Sequence, residues 1–309
     1  KYDSPYMALS VLASVLPLLL ARRGWLPYGL AVIAGELVVC TTYQAATGIL
    51  PLLVIVVALR QWSRGRSTRG VLGFVFFSAG AYLVALVVFK LFIMQPATSY
   101  VSNEVPPINE LLMVFASHLK QYVKYVLADF KKPWIVLVAL VILAFVWVVV
   151  RDARRNRVAV LFVTLACVAL MGCLTFGIYP ALDQPLFSPR AMYGVGAFVA
   201  FPAVVIASSR RALGGKLVVL ALSWCFLVFA FTYGNALYVQ SQWVDFRITA
   251  VINDLDNLEE FVADEPKVVQ VKGSVGYSPV LRNQPQDYQM LNRLVPVTFR
   301  SEWWWGIAG

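Results

Sequence analysis

Among the ionisable residues in or beside long apolar stretches of this 309-residue sequence, where a charge is costly, three could do chemistry. Glu36 lies within the apolar run Leu26–Leu59. An acidic residue inside so apolar a stretch marks a functional site by default. The alternative is a structural carboxylate that bonds to Thr41, Thr42 or Gln44 nearby. Glu36 is therefore one candidate for a catalytic acid or base.

Asp3 and Arg190 stand at the starts of two further apolar runs. Asp3 can serve as a helix N-cap before Pro5, or it can face a site at that helix end. Arg190 has a planar guanidinium, which can bind phosphate in a bidentate fashion. Its alternatives are an interfacial anchor and an ion pair with Asp183. With Glu36, these residues supply an acid for proton transfer and a cation for a phosphate.

The elements that position these residues must be membrane-spanning helices. Hydrophobic residues make up 60% of the chain, charged residues 14%, and the mean hydropathy is +0.72. A soluble domain has about 25% charged residues, so a cytosolic globule, a disordered chain and a disulfide scaffold are excluded. The continuous apolar runs also exclude a transmembrane β-barrel, whose strands alternate. One histidine and no cysteine pair at ligand spacing predict no metal site.

Apolar runs and basic clusters together predict about eight spans. The runs are Tyr6–Ala21, Leu26–Leu59, Val71–Met94, Trp134–Val150, Val158–Tyr179, Ala191–Ala207 and Leu217–Leu237. Half of the 26 Lys and Arg lie in four short clusters at residues 22–23, 60–69, 151–157 and 210–216. The positive-inside rule places all four in the cytoplasm, so Leu26–Leu59 must cross twice and turn near Cys40–Gln44. The net charge of +10 reports this topology and contacts with membrane lipids, and it predicts no nucleic-acid partner.

The remaining segments are predicted to lie outside the cytoplasm. Residues 1–237 form the membrane domain, whose loop at 95–133 contains an amphipathic helix with one apolar stripe from Ile108 to Phe130. That helix packs over the outer end of the bundle, covers a lipid-linked substrate as a lid, or does both. Residues 238–309 form a small extracytoplasmic α+β domain, with a helix over Trp243–Phe261 and a strand over Lys267–Lys272.

Three strings of residues resemble those of a known family. They are Asp3-Ser4-Pro5-Tyr6-Met7-Ala8-Leu9, Tyr43-Gln44-Ala45-Ala46-Thr47-Gly48 and Ser188-Pro189-Arg190-Ala191-Met192-Tyr193-Gly194. With the strand Val268–Gly273, they resemble the GtrII-like glucosyltransferases, the phage- and prophage-type enzymes that modify bacterial O-antigen. The resemblance implies an all-α polytopic bundle of the GT-C class.

The same resemblance implies an activity and a location. Members move a hexose, here glucose, from an undecaprenyl-phosphate donor to a polysaccharide acceptor at the periplasmic face of the bacterial inner membrane. No cofactor is implied beyond this lipid-linked co-substrate. The matching positions are Tyr43, Gln44, Arg190 and Tyr193 for substrate binding. Asp3 and Glu36 are the candidate catalytic acids in this chain.

The family's acidic pair belongs to a large outer loop that would precede Lys1, so we expect an N-terminally truncated member. Two other classes of function stay open. A transporter or lipid-linked sugar flippase would need inverted repeats and several buried charges along a path. A non-catalytic assembly subunit would bind a partner through its tail.

Overall fold

The computed structural model describes residues 4–94, 105–257, 273–283, 288 and 290–297, and these residues form helices joined by short turns with no strand among them. The α-helices, in chain order, are α1 Ser4–Val15, α2 Pro17–Leu20, α3 Trp25–Thr42, α4 Ile49–Ser63, α5 Thr68–Val88, α6 Ile108–Asp129, α7 Lys132–Arg151, α8 Arg157–Leu174, α9 Tyr193–Ala207, α10 Leu213–Asp256, α11 Pro279–Asn283 and α12 Leu291–Leu294. The strand predicted at Lys267–Lys272 lies outside the described residues.

The protein is an all-α polytopic membrane protein. In the described part of the chain, six helical segments are long and apolar enough to cross a bilayer: Trp25–Thr42, Gln44–Ser63, Thr68–Ile93, Lys132–Arg151, Arg157–Leu174 and Leu213–Asp256. Two shorter apolar helices, Pro5–Leu20 and Tyr193–Ala207, join them. These eight segments overlap the predicted apolar runs, and Leu26–Leu59 is divided into two helices as expected.

The burial pattern of the spans is that of helices in lipid. Large apolar side chains such as Phe76, Phe162 and Leu220 are each about two-thirds exposed. Lipid tails are as apolar as these side chains, so spanning helices can turn them outward at no cost. Interiors are packed instead through small residues. A Cβ on Gly35 would approach the Ala13 carbonyl oxygen to 2.6 Å, so the backbones of α1 and α3 are almost in contact there.

The chain breaks between α3 and α4 at Tyr43. The hydroxyls of Thr41 and Thr42 donate to the carbonyl oxygens of Leu37 and Val38, and Tyr43 then adopts an extended conformation. A 3-10 turn over Gln44–Ala46 leads into α4. Threonine side chains compete with the helix for backbone groups, which favours termination here.

The described chain divides into two compact units. The first comprises residues 1–128 and 132–222, and the second comprises residues 129–131 and 223–309. In the second unit, Leu281, Leu291 and Val295 are buried against Ala236 of α10. The sequence-based boundary at residue 237 stays a prediction, since α10 runs without a break from Leu213 to Asp256.

Candidate functional site

Arginine-rich loops meet at one end of the first unit, which we call the arginine end (residues 22–23, 60–69, 151–157 and 208–211). The amide of Arg154 donates to the Ser63 carbonyl oxygen at 2.9 Å. Arg155 donates to the carbonyl oxygens of Trp62 and Arg66 at 2.9 and 2.8 Å. Residues 22–23 join this end through a cavity of about 460 Å³ that Arg22 and Arg66 both line. All four basic clusters therefore share one end of the bundle, as their charge predicted.

The other ends of the same helices form what we call the tyrosine end (residues 43–48, 175–195 and the start of α1). Helix α3 spans about 27 Å from Trp25 to Thr42, at 1.5 Å per residue. The rings of Tyr43 and Tyr193 meet edge to face there, with centroids 5.5 Å apart. The Tyr193 hydroxyl lies 3.0 Å from the Met7 sulfur. One residue from each of the three family-like strings thus takes part in a single cluster.

Backbone contacts lock the second and third strings together. The turn Gln44–Ala46 packs against a second 3-10 turn, Pro189–Ala191, which contains Arg190. A Cβ on Gly194 would lie 1.6 Å from the Thr175 carbonyl oxygen, so only glycine fits there. The loop that follows α8 therefore lies between the second and third strings.

Glu36 lies on α3, six residues before Thr42 and hence about 9 Å below the tyrosine end along the helix axis. Its side chain is 1% exposed, and neither carboxylate oxygen has a hydrogen-bond partner among the described residues. The predicted structural bonds to Thr41, Thr42 or Gln44 are absent from that part of the chain. Tyr82 of α5 donates its hydroxyl to the Thr47 carbonyl oxygen at 3.1 Å.

The amphipathic helix α6 packs on the loop between α8 and α9. Tyr122 is fully buried, stacks on Phe176 with centroids 4.7 Å apart, and lies tilted against Phe187 with centroids 4.6 Å apart. Its hydroxyl donates to the Leu186 carbonyl oxygen at 2.9 Å. Burial, and secondarily the charge of Tyr179, raises the pKa of the Tyr122 phenol. The helix predicted within residues 95–133 is present as α6, whereas its extracytoplasmic location and its role stay predictions.

The structure describes the predicted site residues unevenly. Tyr43, Gln44 and Tyr193 lie together and half-buried at the tyrosine end. Glu36 lies beneath them. The Arg190 backbone is beside them, but its side chain is outside the described part, as is all of Asp3. The catalytic and substrate-binding roles of these residues stay predictions.

Sequence reasoning missed two contributors to this cluster. Tyr82 is a phenol within a span, and its hydroxyl supports the Thr47 turn. Its position in the apolar run was the available signal. Phe176 lies just after α8 and stacks on the α6 tyrosine. Nothing local in the sequence indicates that contact.

The fold defines a polytopic helical membrane protein with an aromatic and polar cluster at one end of its bundle. Sequence comparisons identify its family. The model of the glucosyl transferase GtrII family matches residues 1–201, so the chain belongs to that family. A 55.3 kDa protein encoded 5′ of gtrB in Salmonella phage P22 is 25% identical over 129 residues. That match covers 40% of this chain and 26% of the phage protein, so only about a quarter of the relative is represented. No solved structure matches the chain significantly.

Proposed function

We propose that this protein takes part in transfer of a hexose, glucose by its family, from a polyprenyl-phosphate donor to O-antigen or another surface polysaccharide. The reaction would occur at the periplasmic face of the inner membrane. Membership of the glucosyl transferase GtrII family supports the reaction class. The position of the phage relative near gtrB fits modification of O-antigen. Concentration of the basic loops at the opposite end supports a tyrosine end on the outer side.

One observation carries the proposal. The three strings that resemble the family are separated by up to about 180 residues in the sequence, yet they meet in one cluster at one end of the bundle. Tyr43 and Tyr193 touch through their rings, and Met7 contacts Tyr193. Packing alone does not require that the polar turn, the arginine-bearing turn and the buried acid converge.

The reaction assigns a role to each part of this cluster. The acceptor hydroxyl attacks the anomeric carbon of the donor, the bond from that carbon to the phosphate oxygen breaks, and polyprenyl phosphate leaves. A carboxylate takes the proton from the attacking hydroxyl, and Asp3 and Glu36 are the candidates for this role in the chain. Arg190 would stabilise the negative charge on the departing phosphate. Tyr43, Gln44 and Tyr193 would hold the sugar.

The test is transfer by the full gene product in cells that make both donor and acceptor. Glucosylated O-antigen is measured by mass spectrometry, and the amount of protein in the membrane is measured in parallel. Arg190→Gln should lower transfer about 100-fold, the usual effect of removing one charge-stabilising donor. Arg190→Lys should retain part of it, because lysine keeps the charge and loses the bidentate geometry.

The matched control is Arg69→Gln, which removes an exposed arginine from the arginine end. It should leave transfer at the wild-type level. Full transfer by Arg190→Gln at equal protein level would remove the phosphate role of Arg190. Counterflow of a lipid-linked sugar in proteoliposomes, with no covalent product, would instead favour a transporter and overturn the proposal.

A further inference from the structure

A second pocket opens at the arginine end of the first unit, far from the tyrosine end. Its volume is about 450 Å³, and it is lined by Arg64, Arg151, Asp152, Arg154, Arg210 and Arg211 together with Ser209. The loops that follow α4, α7 and α9 each contribute to it. Five guanidinium groups therefore surround one space that contains a single carboxylate.

One of these five arginines is held by hydrogen bonds and an ion pair, and the other four side chains are not held in this way by any described residue. Arg151 donates to the Ser209 hydroxyl at 2.8 Å and to the Arg211 carbonyl oxygen at 2.7 Å, and it forms an ion pair with Asp152 at 2.8 Å. These bonds join the α7 and α9 loops and hold the pocket wall in place. The Asp152 carboxylate is therefore already paired with the Arg151 guanidinium.

The side chains of Arg64, Arg154, Arg210 and Arg211 are exposed and make no hydrogen bond or ion pair with any described residue. Like charges gathered around one space repel each other, and an anion between them relieves that repulsion. The positive-inside rule explains basic residues at this end of the bundle. The same rule does not explain why arginines from three separate loops line one pocket.

Apolar surface borders the pocket on the side of the spans. Trp147 is half exposed and lies under the Arg151 guanidinium, 4.3 Å from its ring centroid. Leu213, two residues after Arg211, is 72% exposed, and Val204 near the end of α9 is 59% exposed. A ligand with a phosphate head and hydrocarbon chains matches this combination, because basic pockets between membrane helices bind anionic lipid headgroups.

We propose that this pocket is a binding site for the phosphate of an anionic phospholipid in the leaflet that the arginine end faces. Phosphate receives two parallel hydrogen bonds from one guanidinium. Arg154, Arg210 and Arg211 supply such groups from two loops, and the exposed apolar side chains of α9 and α10 contact the acyl chains. This inference is independent of the proposed transferase activity, since its site and its readout are different.

The test is lipid binding to the purified full gene product in detergent, followed by native mass spectrometry. The probes are phosphatidylglycerol and, as its zwitterionic counterpart, phosphatidylcholine. Wild-type protein should retain phosphatidylglycerol at least about tenfold more tightly than phosphatidylcholine. The triple variant Arg154→Gln, Arg210→Gln, Arg211→Gln should lose that preference, because the charges that attract the anionic headgroup are removed.

The matched control is the triple variant Arg22→Gln, Arg23→Gln, Arg69→Gln. It removes the same charge from exposed arginines at the same end that do not line this pocket. It should bind phosphatidylglycerol as the wild type does. An equal loss in both triple variants would show a general electrostatic field and overturn the site.

A further arm separates the lipid from a soluble source of the same phosphate chemistry. Glycerol phosphate at the same concentration should not displace phosphatidylglycerol, because it lacks the acyl chains. Displacement by glycerol phosphate would overturn the lipid assignment. Equal binding of phosphatidylcholine would overturn the anionic preference. A melting curve for each variant establishes that it is folded, so loss of binding is attributable to the pocket.

Discussion

Replacing Glu36 with leucine should stabilise the protein and remove its transfer activity. The Glu36 carboxylate is 1% exposed, and neither of its oxygens has a partner among the described residues. A buried polar group without a partner costs about 1–3 kcal/mol. Leucine has a similar volume and no polar atom, so Glu36→Leu should recover that cost. For a chain of this size, the gain corresponds to a rise in melting temperature of roughly 1.5–5 °C.

Thermal unfolding of the purified protein in detergent measures this gain, and transfer in cells measures the loss. Two variants serve as controls. Glu36→Gln keeps the shape and leaves an unpaired amide, so it should gain little stability. Glu110→Leu changes an exposed glutamate of α6 and should change stability by no more than about 0.5 kcal/mol.

A lower melting temperature for Glu36→Leu than for the wild type would contradict the predicted gain in stability. It would mean that the carboxylate makes a stabilising bond in the whole protein. Higher stability with full transfer would leave Glu36 without a role in the reaction. The combination of gained stability and lost activity is the signature of a residue retained for function.

Three further predictions concern packing and charge. Tyr122→Ala should cost about 4 kcal/mol and speed hydrogen exchange of α6 by about 1,000-fold, whereas unchanged exchange would show that α6 is not anchored by this ring. Gly194→Ala should prevent folding or lower the yield sharply, because its Cβ would meet the Thr175 carbonyl oxygen, while Gly196→Ala, with open space around it, should fold normally. Burial raises the pKa of the Asp129 carboxyl despite the Arg293 guanidinium nearby. Because the folded state then binds the proton more tightly, stability should fall as pH rises above the ordinary aspartate pKa near 4. Asp129→Asn should therefore raise the melting temperature near pH 7 more than near pH 4, and an equal effect at both would contradict this.

Hydropathy and charge were sufficient to predict the spans. The eight apolar helices follow from continuous runs of apolar residues, because a bilayer selects for length and composition. The division of Leu26–Leu59 into two helices, with a turn near Cys40–Gln44, followed from charge, since Arg22 and Arg60 had to share a side. Both inferences use properties that are local or additive along the sequence.

The contacts that assemble the candidate site could not be predicted in this way. The ring of Tyr122 stacks on Phe176, 54 residues later, and Arg151 donates to the carbonyl oxygen of Arg211. Such pairs depend on how helices cross and on close approaches such as that at Gly194. Periodicity shows which face of a helix is apolar and does not show which loop covers it.

Transfer of a sugar from a polyprenyl phosphate, as proposed above, can be measured directly. The most direct measurement uses the purified full gene product in proteoliposomes, with polyprenyl-phosphate glucose labelled in the sugar and purified O-antigen as acceptor. We expect label to pass into the polysaccharide with release of polyprenyl phosphate. Arg190→Gln should reduce this transfer of label about 100-fold, and Arg69→Gln should not reduce it. Label that remains on the lipid in the presence of folded wild-type protein and acceptor would contradict the proposed transfer.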